Sequence, residues 1–168
     1  RPQRSTLFPY TTLFRSSKMA TEPSAQKICI LYGSMYGNSA AVVPSIQRSL
    51  NEKEVPFECL DITQTPIAYL LPALLTSAGV VVCAPTYEGG LFPTMEFVLE
   101  MVDKKRMQNR KAIFIGSYGW GGGAMRFMNQ QCEKLHWELL GSLEFQGQAS
   151  VQDLAEIQNL TTRLIESL

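Results

Sequence analysis

Short apolar runs of strand length recur along this chain, and each is followed by a segment with the spacing of a helix. Ile28-Cys29-Ile30-Leu31-Tyr32, Gly79-Val80-Val81-Val82-Cys83-Ala84 and Ala112-Ile113-Phe114-Ile115-Gly116 are almost continuously apolar. That is the pattern of strands covered on both faces. Phe57–Asp61 reads as a further strand, and Glu138–Phe145 as an alternating fifth. Between them, Val43, Ile46 and Leu50 mark a helix over 40–51, and 66–76 a short second one. Met95, Val98, Leu99 and Val102 mark a third, 123–135 is a fourth, and Leu154, Ile157, Leu160 and Leu164 face inward on the last. Ser150 with Asp153 three residues on reads as a capping box opening that final helix. Pro44 and Pro72 interrupt two of the helices, since proline lacks an N–H and crowds the preceding turn; the first helix is expected to start late or to bend. Strands alternating with helices imply right-handed crossovers. The expected fold is α/β, a doubly wound five-stranded parallel sheet with helices on both faces. No repeat or linker divides 27–168, so one domain is expected there.

Residues 1–18 do not fit this pattern. They hold Arg1, Arg4, Arg15 and Lys18 and no acid, a weakly transit-peptide-like composition. Leu7 to Ser16 reads better as the in-frame translation of a sequencing-library adapter, so 1–18 is set aside as an artefact and 19–26 is read as a residual linker. The whole chain balances fifteen basic against fifteen acidic residues, and without those four cations eleven remain against fifteen, a net charge of −4 for 19–168. Neither balance suggests a nucleic-acid or anionic-membrane footprint. No apolar run reaches the roughly 18 residues of a transmembrane helix. A single histidine, His136, argues against a histidine-rich metal centre and is read as structural. Cys29, Cys59, Cys83 and Cys132 lie far apart with no C-x-x-C spacing, as buried reduced thiols of a cytoplasmic protein would. Lys104-Lys105-Arg106 reads as a solvated helix C-terminus, and Met125 and Met128 as packing.

Three glycine-rich segments follow predicted strands and should converge at the carboxyl edge of the sheet, where such folds bind ligands. Gly33-Ser34-Met35-Tyr36-Gly37-Asn38-Ser39 joins strand one to helix one. Small residues let N–H groups converge on one point, and a helix N-terminus adds positive potential, which suits a phosphate. The segment has neither the Walker lysine nor G-x-G-x-x-G. An uncharged loop fits a monoester phosphate better than a triphosphate, although a plain turn explains the same residues. Pro85-Thr86-Tyr87-Glu88-Gly89-Gly90 follows strand three, and its paired glycines permit unusual backbone angles. Ser117-Tyr118-Gly119-Trp120-Gly121 follows strand four; aromatic residues isolated among glycines make poor core and suit stacking on something planar. A flexible loop with a lid-like Trp is the alternative. Together the three loops ask for a flat, aromatic, phosphorylated ligand, and FMN fits best.

The element order and first loop resemble flavodoxin, with the strand order 2-1-3-4-5. More narrowly, Tyr32 to Asn38, Pro85-Thr86-Tyr87 with Gly90-Leu91-Phe92-Pro93, and Gly116 to Trp120 resemble the flavodoxin-like domain of flavodiiron proteins, the A-type flavoproteins. The resemblance covers nearly all of 27–168. It implies that Ser34, Met35, Tyr36, Gly37, Asn38 and Ser39 hold the FMN phosphate. Pro85, Thr86, Tyr87, Glu88, Gly89 and Gly90 would line the flavin, as would Ser117, Tyr118, Gly119, Trp120 and Gly121. Lys18 to Pro23 is similar to the linker that follows the diiron domain in that family, which implies a C-terminal fragment without that domain. Family members pass electrons from FMN to a diiron centre that reduces dioxygen or nitric oxide, with rubredoxin or a reductase as donor, usually within a homodimer. Glu88 departs from the Asn common in the family. Its carboxylate is expected to oppose negative charge on reduced flavin and so lower the potential.

The leading expectation is an FMN-binding electron-transfer module, not catalytically complete alone, with a diiron domain as acceptor. The alternatives are a free-standing flavodoxin-type carrier and an FMN-dependent NAD(P)H:quinone reductase. Carriers that dock by charge steering tend to be strongly acidic, and −4 is modest. No feature marks a nicotinamide site.

Overall fold

The computed structural model describes residues 20–23 and 25–168; the segment read as an artefact lies outside them. Five parallel strands form one sheet in the order β2-β1-β3-β6-β7. They are β1 (Ala25–Tyr32), β2 (Phe57–Asp61), β3 (Ser77–Cys83), β6 (Lys111–Tyr118) and β7 (Glu138–Gln146). Numbering only the strands of this sheet, that is 2-1-3-4-5, the doubly wound order. The helices are α1 (Asn38–Glu52), α2 (Ile67–Thr76), α3 (Pro93–Lys104), α4 (Ala124–Leu135) and α5 (Val151–Ser167). Two short strands that periodicity could not show, β4 (Thr86–Tyr87) and β5 (Gly90–Leu91), pair antiparallel as a hairpin at the end of β3.

Strand side chains alternate between faces, and both faces are apolar, which is why the runs read as continuous. Ile28, Ile30, Val81, Ile113 and Ile115 pack with Val42, Val43, Ile46 and Leu50 of α1 and Ile157, Leu160 and Leu164 of α5. On the other face, Cys29, Leu31, Val80, Val82, Ala112 and Phe114 pack against α2, α3 and α4. Each fully buried Val, Leu or Ile contributes roughly 1.5–3 kcal/mol of transfer free energy. Leu154, expected inward on α5, is only half-buried.

The late start that Pro44 suggested for the first helix is not seen. α1 starts earlier than the periodicity suggests, at Asn38, and runs through Pro44; α2 likewise contains Pro72. Both prolines are exposed, so the carbonyl that each leaves without its helical partner lies on the solvent side. The capping box of α5 forms as expected, with Asp153 N–H donating to Ser150 Oγ and Ser150 N–H donating to Asp153 Oδ2. His136 ends α4 in the left-handed conformation, exposed, with its N–H on helix carbonyls. That is the position of a C-terminal cap. Met128 is buried as expected, but Met125 is substantially exposed, its sulfur accepting from Ser142 Oγ. Ala20 and Thr21 are tied to the loop before β6, where Gln108 N–H donates to Ala20 O and Asn109 Nδ2 donates to Thr21 O.

Candidate functional site

The pocket forms at the carboxyl edge of the sheet, between the ends of β1, β3, β6 and β7. Its walls are Ser34, Met35, Tyr36 and Asn38 from the first loop, Pro85 to Gly89 from the hairpin, and Ser117 to Gly121 from the loop after β6. All three segments singled out in the sequence therefore meet. Gly37, Ser39 and Gly90 are not part of the lining, and Gly147, after β7, joins it. The argument that located the other loops, a glycine following a strand at this edge, also applies to Gly147 and could have found it. The pocket has a volume of about 230 Å³. Sites that engulf a small molecule run to roughly 300–1,000 Å³. A ligand of flavin size would thus keep one edge in solvent.

Two helices begin at this pocket, and their N-termini differ. At α4 the protein itself claims two of the first amides: Gly123 N–H donates to Glu144 Oε1 at 3.3 Å, and Ala124 N–H to Thr86 Oγ1 at 3.4 Å. Helix α1 has Gly37 as its N-cap, at φ +87, with no side-chain cap and no acid in its first turn. Its first amide groups are the unclaimed donors every helix carries, and they combine with the helix dipole to favour an anion. Ser34 and Asn38 stand beside them. Beneath, Ser39 is 0% exposed and shares a 2.8 Å hydrogen bond with the Ser117 hydroxyl, while Cys83 Sγ donates to Ser39 O. That buried pair fixes the start of α1 against the end of β6. The lining contains one charged residue, Glu88, so an anion here would be held by amides, hydroxyls and the dipole rather than by a cation.

Aromatic side chains supply the walls. Trp120 is 98% exposed, Tyr36 is almost as open, and Tyr87 and Met35 are partly so. An indole left wholly in water beside a slot is surface that a planar ligand would cover. Gly147 N–H donates to Tyr118 O, and Gln146 Nε2 donates to Gly119 O, which anchors the Trp120 loop on the side that leaves β6. The cradle therefore fits a flat phosphorylated cofactor: an open helix end for the phosphate and an aromatic slot for the ring. Among the described residues no group of three or more His, Cys, Asp or Glu could hold a metal ion.

The hairpin turn explains why position 88 is unusual. Tyr87 pairs with Gly90, leaving Glu88 and Gly89 as a two-residue turn with φ +46 and +77. Positive φ at both positions is the type I′ turn, which favours Asn-Gly and penalises long side chains. Glu88→Asn is expected to stabilise the chain by about 0.5–1 kcal/mol, read from urea denaturation. It should also raise the potential of the flavin-loaded chain by removing the lining's only carboxylate; an unchanged potential refutes the electrostatic part.

The flavodoxin family model matches residues 30–159, most of the chain. The chain belongs to the flavodoxin family. FMN is the cofactor that membership implies. An anaerobic nitric oxide reductase flavorubredoxin of Pectobacterium carotovorum is 28% identical over 110 residues, covering 64% of this chain and 22% of that protein. The rubredoxin:oxygen oxidoreductase of Desulfovibrio gigas superposes with a TM-score of 0.82 at 15% identity, over 87% of this chain and 37% of that one. Flavodoxin 1 of Bacillus cereus gives 0.72 at 19% identity, over 84% of this chain and 99% of its own. The chain spans between 20% and 29% of the length of the curated relatives it matches. Among the described residues no helix is long and apolar enough to cross a membrane.

Proposed function

We propose that this chain is the FMN-binding electron-transfer module of a flavodiiron-type protein. The observation that carries the reading is the asymmetry at the pocket, where Glu144 and Thr86 claim two of the first amides at α4 while α1 has no side-chain cap. The phosphate would lie on the amides of Asn38 and Ser39 with Ser34 beside it. The ring would lie between the hairpin at Tyr87 to Gly89 and the loop at Tyr118 to Gly121. When bound, FMN supplies one- and two-electron redox chemistry. The chain's own residues bind and orient: Glu88 sets the charge near the ring, and the aromatic walls exclude water from its faces. The shallow slot leaves an edge open for electrons to reach a partner. The acceptor would be a diiron domain, as the flavorubredoxin likeness suggests, and the donor a rubredoxin or reductase in the cytoplasm. A free-standing carrier is the second reading, favoured by the likeness to a Bacillus cereus flavodoxin that the chain covers over 99% of its length.

FMN titration of the 168-residue chain tests the cofactor site, with Trp120→Ala in parallel. The chain has two tryptophans, Trp120 exposed and Trp137 buried, so the water-exposed emission belongs to Trp120. Stoichiometric binding that quenches it is expected, with affinity about tenfold or more weaker in Trp120→Ala. Absence of binding by the folded chain overturns the reading. Electron delivery is tested separately, by mixing the reduced chain with a diiron domain and with a flavodoxin acceptor.

A further inference from the structure

We infer that Glu144, far from the three loops in sequence, is a positioning residue that sets the separation of the two loops walling the flavin slot. The inference rests on FMN being the ligand. Glu144 lies on β7 opposite Gly116 of β6. Gly116 has no side chain, and a Cβ placed there would come within 2.8 Å of the Phe114 ring and 3.3 Å of Glu144 Cγ. The carboxylate can therefore cross over β6 toward the pocket base. There Oε1 accepts from Thr86 Oγ1 at 3.0 Å and from Gly123 N–H at 3.3 Å. Thr86 belongs to the hairpin, and Gly123 ends the Trp120 loop, so one oxygen atom holds both walls. Thr86 passes the connection on by accepting from Ala124 N–H at 3.4 Å. Oε2 lies against Gly122, where an added Cβ would stand 3.0 Å away. At the hairpin tip the two walls touch directly, Gly123 against the Gly89 carbonyl.

Three consequences follow from this arrangement. The hairpin leg is fixed at Thr86, one residue from Tyr87 on the slot wall. The Trp120 loop is fixed at its far end, so its aromatic tip moves about a held base. The Glu144 carboxylate already sits at the positive end of α4 on the Gly123 amide, which leaves α1 as the helix start more available to the phosphate. A buried or half-buried donor that loses its acceptor is left unpaired at a cost in stability, and here two donors on opposite walls depend on the same atom.

The test compares Glu144→Ala, Glu144→Gln and Leu164→Ala, a core truncation on α5 remote from the pocket. Each is measured for FMN affinity, the visible spectrum and midpoint potential of the bound flavin, and apo-protein Tm. Glu144→Ala is expected to weaken FMN about tenfold or more and to shift both spectrum and potential. Glu144→Gln keeps an oxygen acceptor and should stay within about threefold of wild type. Leu164→Ala should lower Tm with affinity within about threefold, which separates positioning from general stability. Unchanged affinity and spectrum in Glu144→Ala overturns the inference, as does an equal loss in Leu164→Ala or in Glu144→Gln. Should Glu144→Ala fail to fold, Thr86→Val removes the same bond from the hairpin side and is held to the same tenfold criterion. A folded wild type that does not bind FMN removes the cofactor reading itself, before any variant is compared.

Discussion

Gly123→Ala is expected to weaken FMN binding about thirtyfold or more and to destabilise the apo chain by about 1–3 kcal/mol. A Cβ at residue 123 would sit 2.2 Å from the Gly89 carbonyl oxygen, 2.8 Å from its carbon and 3.2 Å from its Cα. All three atoms are backbone, so no rotamer change relieves the clash. Either the hairpin tip swings away from α4 or the start of α4 shifts. Both movements pull on the Thr86–Glu144–Gly123 connection and open the slot between hairpin and Trp120 loop. Gly121→Ala is the control, since a Cβ there meets nothing within 4 Å and apo stability should stay within about 0.5 kcal/mol. FMN titration and urea denaturation of the two variants decide it. If Gly123→Ala matches Gly121→Ala in stability, the hairpin is not seated on α4 as described.

The architecture was legible because both faces of the sheet are covered. A strand buried on two sides must be apolar at every position, and Val80 to Cys83 or Ala112 to Ile115 admit few other readings. Two-residue strands leave no such trace, so the β4–β5 hairpin appeared only as a glycine-bearing loop. The signal that could have exposed it was the pair Glu88-Gly89 between Tyr87 and Gly90, a degraded form of Asn-Gly. Pro44 does not delay the start of α1, because proline's cost falls on the backbone alone. On the exposed side of α1 it removes a hydrogen bond without obstructing the packing of Val42, Val43, Ile46 and Leu50.

The pocket lining was legible for a related reason, in that loops at one sheet edge must converge wherever the strands are parallel and adjacent. What sequence did not reveal was the layer behind the lining. Ser39 reads as a loop hydroxyl facing a phosphate, yet its hydroxyl is buried against Ser117, 78 residues away. Glu144 lies in a segment that shows only the alternation of a strand. Its reach into the pocket base depends on Gly116 in the neighbouring strand, a pairing fixed by sheet register rather than by local pattern. Contacts of this kind are set by tertiary geometry, and single-sequence periodicity carries no information about them.

Stability is expected to fall steeply in alkali, beginning near pH 9, because three thiols are locked in the protonated form. Burial raises Cys29 and Cys83 from the ordinary 9.0 to about 12, and Cys132 to about 11. For Cys29 the neighbouring Glu58 adds to the burial effect. In the unfolded chain these thiols lose their protons near 9, while in the folded chain they keep them. Above that pH the unfolded state binds fewer protons, so stability declines as pH rises from about 9 toward 12. Each thiol contributes a limiting slope of roughly 1 kcal/mol per pH unit. Arg110 works in the opposite sense, since burial lowers its guanidinium to about 10 and the unfolded chain then holds the extra proton. It offsets one thiol of the three and only above pH 10, so the net slope stays negative. Urea denaturation between pH 7 and 10.5 under reducing conditions should show a plateau and then a decline. Cys29→Ala with Cys83→Ala should flatten that decline markedly, at the expense of a lower plateau from the lost packing. A decline just as steep in the double variant would assign the alkaline transition to other groups and remove the thiols as its cause.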